Sequence, residues 1–374
     1  MILKNARLWN NDRFVCRDIC IDDNGLITEN SCGEIVDLKG MKAVPGLVDT
    51  HIHGCFGYDV SDLSSDSIVQ MALMLPRFGV TSFCPTTMTM SEDNIFRCFD
   101  AVREACDILE TCGSPYSRIL GIHLEGPFLS PAKTAVQGKD HLIEPTDGSG
   151  LINELEKRFP GMLKIIDIAP EMPGGLEFIK EFNKSYVLSA AHTSCDYELG
   201  MKAFEAGLSS VTHILNATLP IDKRAPGIVC AAMDSGAFVE IICDGIHIQP
   251  PVLRLLFRMF SADRTVIISD SMRGSGMPDG IYKLGDTDVE CSNGRTFYGR
   301  GRDLAGSVTN LADEYRNLLS AGISEERIIR SMTVNPLSRI GEEGGKLSPG
   351  ERADIVIMDG DRLYSVFCQG VKVL

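Results

Sequence analysis

His51 and His53 stand two residues apart, directly after the apolar run "AVPGLVD" and directly before the strand-breaking "GCFG". On a β-strand, residues two apart face the same side. Both imidazoles therefore point together at the C-terminal end of one buried strand, where a neutral pair can chelate a divalent metal. Taken alone, such a pair also fits one packed imidazole beside one solvated imidazole. The rest of the chain bears on that choice. "GIHLEGPF" repeats the spacing with His123 and Glu125, "LSAAHTS" carries His192, "VTHILNAT" His213, "CDGIH" His247 and "VIISDS" Asp270. Six of the seven histidines thus fall at the ends of apparent strands, and only His141, in "GKDHLIEPTDG", reads as an exposed loop residue. Single members have plainer alternatives: Asp270 before Ser271 suits a helix N-cap, His123 a packed or supporting imidazole, and His247 a ligand, a substrate contact or a structural hydrogen-bonder. The set as a whole reads as a metal site.

Placing that set requires many strands that end on one face. From about residue 44 to 340, short apolar strands alternate with amphipathic stretches. The strands include "VTSFCPTT", "RILGIHLEG", "LKIIDIAP", "YVLSAAHT", "SSVTHILNA", "AFVEIICDGIH" and "TVIISD"; the helical stretches include "SEDNIFRCFDAVREACDILE" and "YELGMKAFEAG". About eight strand–helix units predict an α/β fold with a closed TIM-like (β/α)8 barrel, whose chemistry sits at the C-terminal ends of its strands. Residues 1–43 read as short strands with turns at "DDNG" and "SCGE", and residues 341–374 return to the same texture. The two ends are expected to pair as one small β-sandwich domain beside a catalytic domain spanning 44–340.

Bulk properties narrow the function. The chain has 374 residues, 44% hydrophobic and 23% charged, which suits a globular protein with a large core. A formal net charge of −15 argues against nucleic acid or an anionic membrane surface as partner. The N-terminus lacks the features of a signal peptide, and no run of about 18 apolar residues is present. Thirteen cysteines without a C-x-x-C pair predict reduced, mostly buried thiols and a cytoplasmic location.

On "PGLVDTHIHG", "HLEGPF", "IAPE", "AAHTS", "THILNAT", "RAPG", "DGIH", "ISDSM", "DLAGS" and "LSPGERADIVI", the chain resembles the amidohydrolase superfamily over nearly its whole length. Within it, the resemblance is to the branch that deacetylates N-acetylglucosamine 6-phosphate, giving glucosamine 6-phosphate and acetate in amino-sugar metabolism. The resemblance implies Glu125, His192 and His213 as ligands of a primary metal. It implies His51 and His53 as ligands of a second, with Glu125 between the two where many amidohydrolases use a modified lysine. One or two divalent ions per subunit are implied, zinc foremost, with iron, manganese and cobalt also suiting such donors.

Asp270 is implied as the proton carrier and His123 as a support behind the ligands. His247 falls on the substrate, the backbone of Asn216 and Ala217 with Arg224 near the phosphate, and Leu304, Ala305 and Gly306 close on the sugar. Arg224 reaching a neighbouring subunit's site would make a homodimer functional. Two departures stand out. "TAVQG" places Val136 and Gln137 where the branch has a Gly-Ala-His-like turn, and Arg273 stands near Asp270 where small residues are commoner, with a phosphate contact as one reading. Alternative readings are a deacetylase for the galacto-epimer, another metal-dependent amidohydrolase, or an inactive relative.

Overall fold

The computed structural model describes residues 1–10, 12–30, 33–299 and 303–374. Eight parallel strands form its centre: β1 (Leu47–Ile52), β2 (Val80–Pro85), β3 (Ile122–Phe128), β4 (Leu163–Ile168), β5 (Val187–Ala190), β6 (Ser210–Val211), β7 (Phe238–Ile242) and β8 (Thr265–Ile268). Each pairs with the next in chain order, β2 meeting β3 through Thr86 and His123, and Ile52 of β1 pairs with Ser271 just past β8. The sheet therefore closes. Strands β1, β2, β3 and β8 are buried along their whole length, as expected where helices cover one face of a parallel barrel and packed side chains fill the other.

A helix follows each strand: α1 (Ser65–Met74), α2 (Glu92–Thr111), α3 (Pro145–Arg158), α4 (Gly175–Phe182), α5 (Tyr197–Ala206), α6 (Gly227–Ser235), α7 (Pro250–Met259) and α8 (Leu311–Ser320). Local chemistry explains their limits. The Ser91 hydroxyl accepts from the Asn94 N–H at the start of α2, with Glu92 and Asp93 on the positive end of the helix dipole. Ile95, Phe99, Val102 and Leu109 make its buried stripe. Asp196 caps α5 in the same way, and Gly207 ends it in the left-handed conformation. Two further helices, α9 (Glu325–Met332) and α10 (Val334–Arg339), complete the barrel unit, and α10 contributes Leu337 to an apolar cluster with Val48, Cys84, Leu120 and Ile165.

The chain ends share one eight-stranded sheet, running from Val371–Lys372 through Arg362–Cys368, Ile355–Asp359, Lys42–Pro45, Ile2–Asn10 and Arg13–Ile21 to Ile27–Thr28, with Ile35–Asp37 paired beside Ile2–Asn10. It encloses its own core of Leu3, Leu8, Ile21, Ile355, Ile357 and Phe367. In the "DDNG" turn, the Asp22 carboxylate accepts from the N–H groups of Asn24 and Leu26. Ser31 and Cys32 of the "SCGE" turn lie outside the described residues. The described cysteines are all free thiols. Among the described residues no helix is long and apolar enough to cross a membrane.

Two features depart from the sequence reading. The run "AVPGLVD" is two strands: Lys42–Pro45 pairs antiparallel with Ile355–Asp359 in the end sheet, and Leu47–Ile52 enters the barrel. The break is Gly46, where an added Cβ would lie 1.9 Å from the Thr81 hydroxyl oxygen and 2.6 Å from its methyl carbon. Gly46→Ala should therefore cost about 1–3 kcal/mol by overpacking, read as a lower urea midpoint; an unchanged midpoint would show that β2 yields freely. The second departure is an antiparallel sheet between β8 and α8, made of Gly280–Leu284, Thr287–Ser292 and Arg295–Phe297. Its two-residue loops are Gly285-Asp286 and Asn293-Gly294, the latter with both residues at positive φ, which is the preferred chemistry of a tight hairpin.

Candidate active site

Glu125 projects from β3 and is the hub of the barrel mouth. Its Oε1 lies 3.1 Å from His192 Nε2 and 3.0 Å from His213 Nε2, while its Oε2 lies 3.2 Å from His53 Nε2 and 3.8 Å from His51 Nε2. Asp270 Oδ1 faces the same pair, 3.3 Å from His53 Nε2 and 3.5 Å from His51 Nε2. His192, His213 and Asp270 sit just past β5, β6 and β8 with φ of 43°, 30° and 48°. Non-glycine residues rarely adopt that left-handed conformation, and holding it is a local strain typical of functional sites.

The ring protons are assigned by the partners behind them. His53 Nδ1 meets the Thr86 carbonyl at 3.1 Å, His192 Nδ1 the Lys133 carbonyl at 2.8 Å, and His51 Nδ1 the Glu240 carboxylate at 3.0 Å. These oxygens only accept, so each Nδ1 carries the proton and each neutral ring turns its Nε2 lone pair inward. Lone pairs aimed at carboxylate oxygens repel unless a positive charge lies between them. The spacing fits an ion: tetrahedral ligand bonds of about 2.0–2.1 Å leave donor atoms about 3.3 Å apart. His51 Nε2 is also a buried atom without a hydrogen-bond partner.

Without an ion, protons take its place. Burial alone would lower the imidazoles, but the neighbouring carboxylates raise His51 well above its ordinary value and His53 to about 10. Conversely, burial would raise Glu125 and Asp270, yet bonds from His192 and His213 to Glu125, and from His53 to Asp270, hold both below the usual carboxylate range. Two triads, His51–His53–Glu125 and Glu125–His192–His213, have their donor atoms within 4.8 Å of one another.

A cleft opens over this cluster. It brings together the metal-type residues His53, Glu125, His192 and His213 with Asp270, His247, Val136, Gln137, Asn216, Ala217, Leu304, Ala305 and Gly306. Met88, Ala135 and Leu284, the last from the inserted sheet, complete the wall. His247 Nδ1 is held by the Asp244 carboxylate at 2.7 Å, and its loop is further fixed by Asp244 accepting the His247 N–H at 2.8 Å.

Other expected residues lie elsewhere. His123 is fully buried below the mouth, its Nδ1 on the Thr50 carbonyl at 2.9 Å and its Nε2 3.1 Å from Asp167, with its ring centroid 4.6 Å from that of His51. Arg224 sits on an exposed turn capped by Asp222 and does not line the cleft of its own chain. Arg273 is turned away from the cleft: its Nε donates to the Lys283 carbonyl at 2.7 Å, and its guanidinium pairs with Asp62 at 3.0 Å, tying the inserted sheet to the loop after β1. That bonding replaces the phosphate contact considered for it. His141 is exposed on a short 3₁₀ turn.

Two contacts went unread. Gln137 donates to Glu125 Oε2 at 2.7 Å while its carbonyl accepts the Thr89 N–H at 2.6 Å, so both ends of its amide are engaged. Glu240, a lone acid inside the apolar run "AFVEIIC", holds His51 from below. A charge at a buried strand position was its signal.

With this geometry in place, comparison with known proteins gives a consistent picture. The model of the amidohydrolase family matches residues 43–373. The N-acetylglucosamine-6-phosphate deacetylase of Bacillus subtilis is 34% identical over 335 residues, spanning 87% of this chain and 83% of the relative. The N-acetylgalactosamine-6-phosphate deacetylase of Escherichia coli O157:H7 is 30% identical over 332 residues, spanning 87% of this chain and 86% of the relative. An aspartate-to-alanine mutant of the Mycobacterium smegmatis N-acetyl-D-glucosamine-6-phosphate deacetylase, solved with N-acetyl-D-glucosamine-6-phosphate, is similar with a TM-score of 0.88 at 26% identity, covering 100% of this chain and 98% of that one. The Thermotoga maritima N-acetylglucosamine-6-phosphate deacetylase gives 0.87 at 28% identity, covering 100% and 99%.

Proposed function

Since this chain belongs to the amidohydrolase family, we propose that it hydrolyses the N-acetyl group of N-acetylglucosamine 6-phosphate to glucosamine 6-phosphate and acetate. The observation that carries the reading is Glu125 set between His192–His213 and His51–His53, with Asp270 at 3.3 Å from the second pair and the cleft directly above. Glu125, His192 and His213 would hold one divalent ion and His51, His53 and Glu125 a second, with zinc the ion we favour for such donors. Bound there, the ion supplies polarisation of the amide carbonyl and a lowered water pKa.

The chain's own residues do the rest. Asp270, kept ionised by His53 and its neighbours, accepts the proton of the attacking water as oxygen adds to the acyl carbon. The same carboxyl then gives that proton to the sugar nitrogen as the C–N bond breaks, since an amine leaves poorly unless protonated. His247, oriented by Asp244, reaches the sugar, and Leu304, Ala305 and Gly306 close the wall that excludes bulk water. Acetate release from N-acetylglucosamine 6-phosphate, its galacto-epimer and unphosphorylated N-acetylglucosamine, with metal quantified on the same sample, tests the reading. It stands if the first substrate is fastest. The Escherichia coli relative favours a second reading, which faster turnover of the galacto-epimer would support.

We further propose that the enzyme works as a homodimer in the cytoplasm, where its thiols stay reduced. The described residues lining the cleft include neither lysine nor arginine, yet a phosphate calls for a cation, and Arg224 is exposed and free to reach a neighbour's cleft. Arg224→Ala should raise KM for the phosphorylated sugar by roughly tenfold to a hundredfold, the size of about 1.5–3 kcal/mol for a charged hydrogen bond. Unphosphorylated substrate should be unaffected. Mixing Arg224→Ala with Asp270→Asn subunits should restore activity, because one hybrid site then has both groups; no restoration would place Arg224 within its own subunit's site or in a structural role.

A further inference from the structure

His51 is engaged from both sides. Its Nε2 faces Glu125 and Asp270 at the mouth, and its Nδ1 lies 3.0 Å from Glu240, which projects into the barrel from β7. Glu240 in turn is ion-paired through its other oxygen with Arg339, the last residue of α10, and both side chains are completely buried. Nη1 is the guanidinium nitrogen that finds Glu240; Nε and Nη2 are buried without partners among the described residues. A buried pair so poorly satisfied adds little to stability, because desolvation offsets the attraction and apolar replacements of similar volume are often neutral. Its value has to lie in what it positions.

From this we propose that Glu240, clamped by Arg339, is a positioning group that locks His51 with its proton on Nδ1 and its Nε2 lone pair offered to the second ion. Occupancy of the His51–His53 site is then decided from the floor of the barrel, by a helix on the opposite side from the cleft. Arg339 has a second effect. His51, His123 and Glu240 also form a buried triad with donor atoms within 4.8 Å, and a permanent guanidinium charge on Glu240 repels any cation from it. His51 is thus reserved for the mouth. The proposal rests on His51 and His53 being a metal pair and not on which amide is cleaved, so a failure of the substrate assay leaves it standing or falling separately.

The test reads metal affinity directly. Protein stripped by chelator is titrated with zinc against a chromophoric competitor, with circular dichroism as a check on folding. Glu240→Met/Arg339→Met removes both charges together. It should weaken the second ion 10–100-fold, the usual cost of losing an outer partner, and leave the Glu125–His192–His213 ion unchanged. Glu240→Gln/Arg339→Met keeps an acceptor oxygen for Nδ1–H and should bind the second ion within about threefold of wild type. A folded Met/Met protein with two wild-type affinities overturns the proposal, as does a Gln/Met protein that falls equally far or a wild type that takes up one ion only. An independent reading needs no variant: ¹⁵N-histidine spectra of the zinc-loaded wild type should show His51 protonated at Nδ1, and the opposite tautomer overturns the assignment.

Discussion

Asp270→Asn is expected to lower kcat by about 10²–10⁴-fold, the contribution of a positioned acid–base group, while the protein keeps its primary ion. The geometry separates the two roles. Glu125 Oε1 and the rings of His192 and His213 form one donor set at 3.0–3.1 Å, and Asp270 is not part of it. Asparagine keeps the shape and one oxygen but has no basic carboxylate to take a proton and return it. Substrate affinity should stay near normal, because His247, the Asn216–Ala217 backbone and the wall at Leu304–Gly306 are untouched. Single-turnover kinetics with metal analysis on the same sample check this. Turnover within about threefold of wild type would leave Asp270 without the proton-carrying role.

Glu125→Gln should have the largest effect of any single change, the loss of both ions and with them all measurable turnover. Each oxygen of Glu125 faces a different pair of imidazoles. An amide supplies one neutral oxygen and turns an NH2 group toward the other pair, so at least one pair loses its carboxylate and the remaining oxygen no longer carries charge. His51→Asn should be milder, costing the second ion while Glu125, His192 and His213 hold the first. Elemental analysis decides between these outcomes, and full metal content in Glu125→Gln would remove the bridging assignment. A thermal shift is a further readout: zinc at a thousand times its dissociation constant stabilises a binding-competent protein by about 4 kcal/mol, and that gain should vanish in Glu125→Gln.

The barrel and most of its mouth were legible because parallel strands are apolar throughout. A polar residue closing such a run, as His192 closes "LSAAH", marks a strand end and a candidate site position together. Contacts made across the barrel were not legible. Nothing in the spacing of Glu240 and Arg339 announces that they meet, since β7 and α10 are brought together only by closure of the whole ring; the acid amid "AFVEIIC" was the one visible sign. Gly46 was hidden because two strands in register with different sheets read as one apolar run, and only the close approach of Thr81 separates them. The inserted sheet was missed although exposed Asp288 and Glu290 alternate with buried Val289 and Cys291, because that alternation lasts only a few residues between the charged and glycine-bearing turns of "LGDTDVECSNGR". Arg273 read as a site residue by proximity in sequence to Asp270, whereas its backbone direction after β8 carries it toward Asp62 and Lys283.

The shared end sheet sets an order on biosynthesis. Lys42–Pro45 leaves the ribosome roughly 310 residues ahead of its antiparallel partner Ile355–Asp359. At about 5–20 residues per second, the nascent chain waits on the order of tens of seconds before that edge is covered. Throughout that interval Lys42–Pro45 presents unpaired backbone groups of the kind that recruit other strands, whereas Ile2–Asn10 is already flanked by Arg13–Ile21 and Ile35–Asp37. Arg339 follows Glu240 by 99 residues, so at the same rate Glu240 waits about 5–20 s for its counter-charge. A chain stopped short of Ile355 is therefore left with Lys42–Pro45 as an open, adhesive edge whatever the state of its barrel.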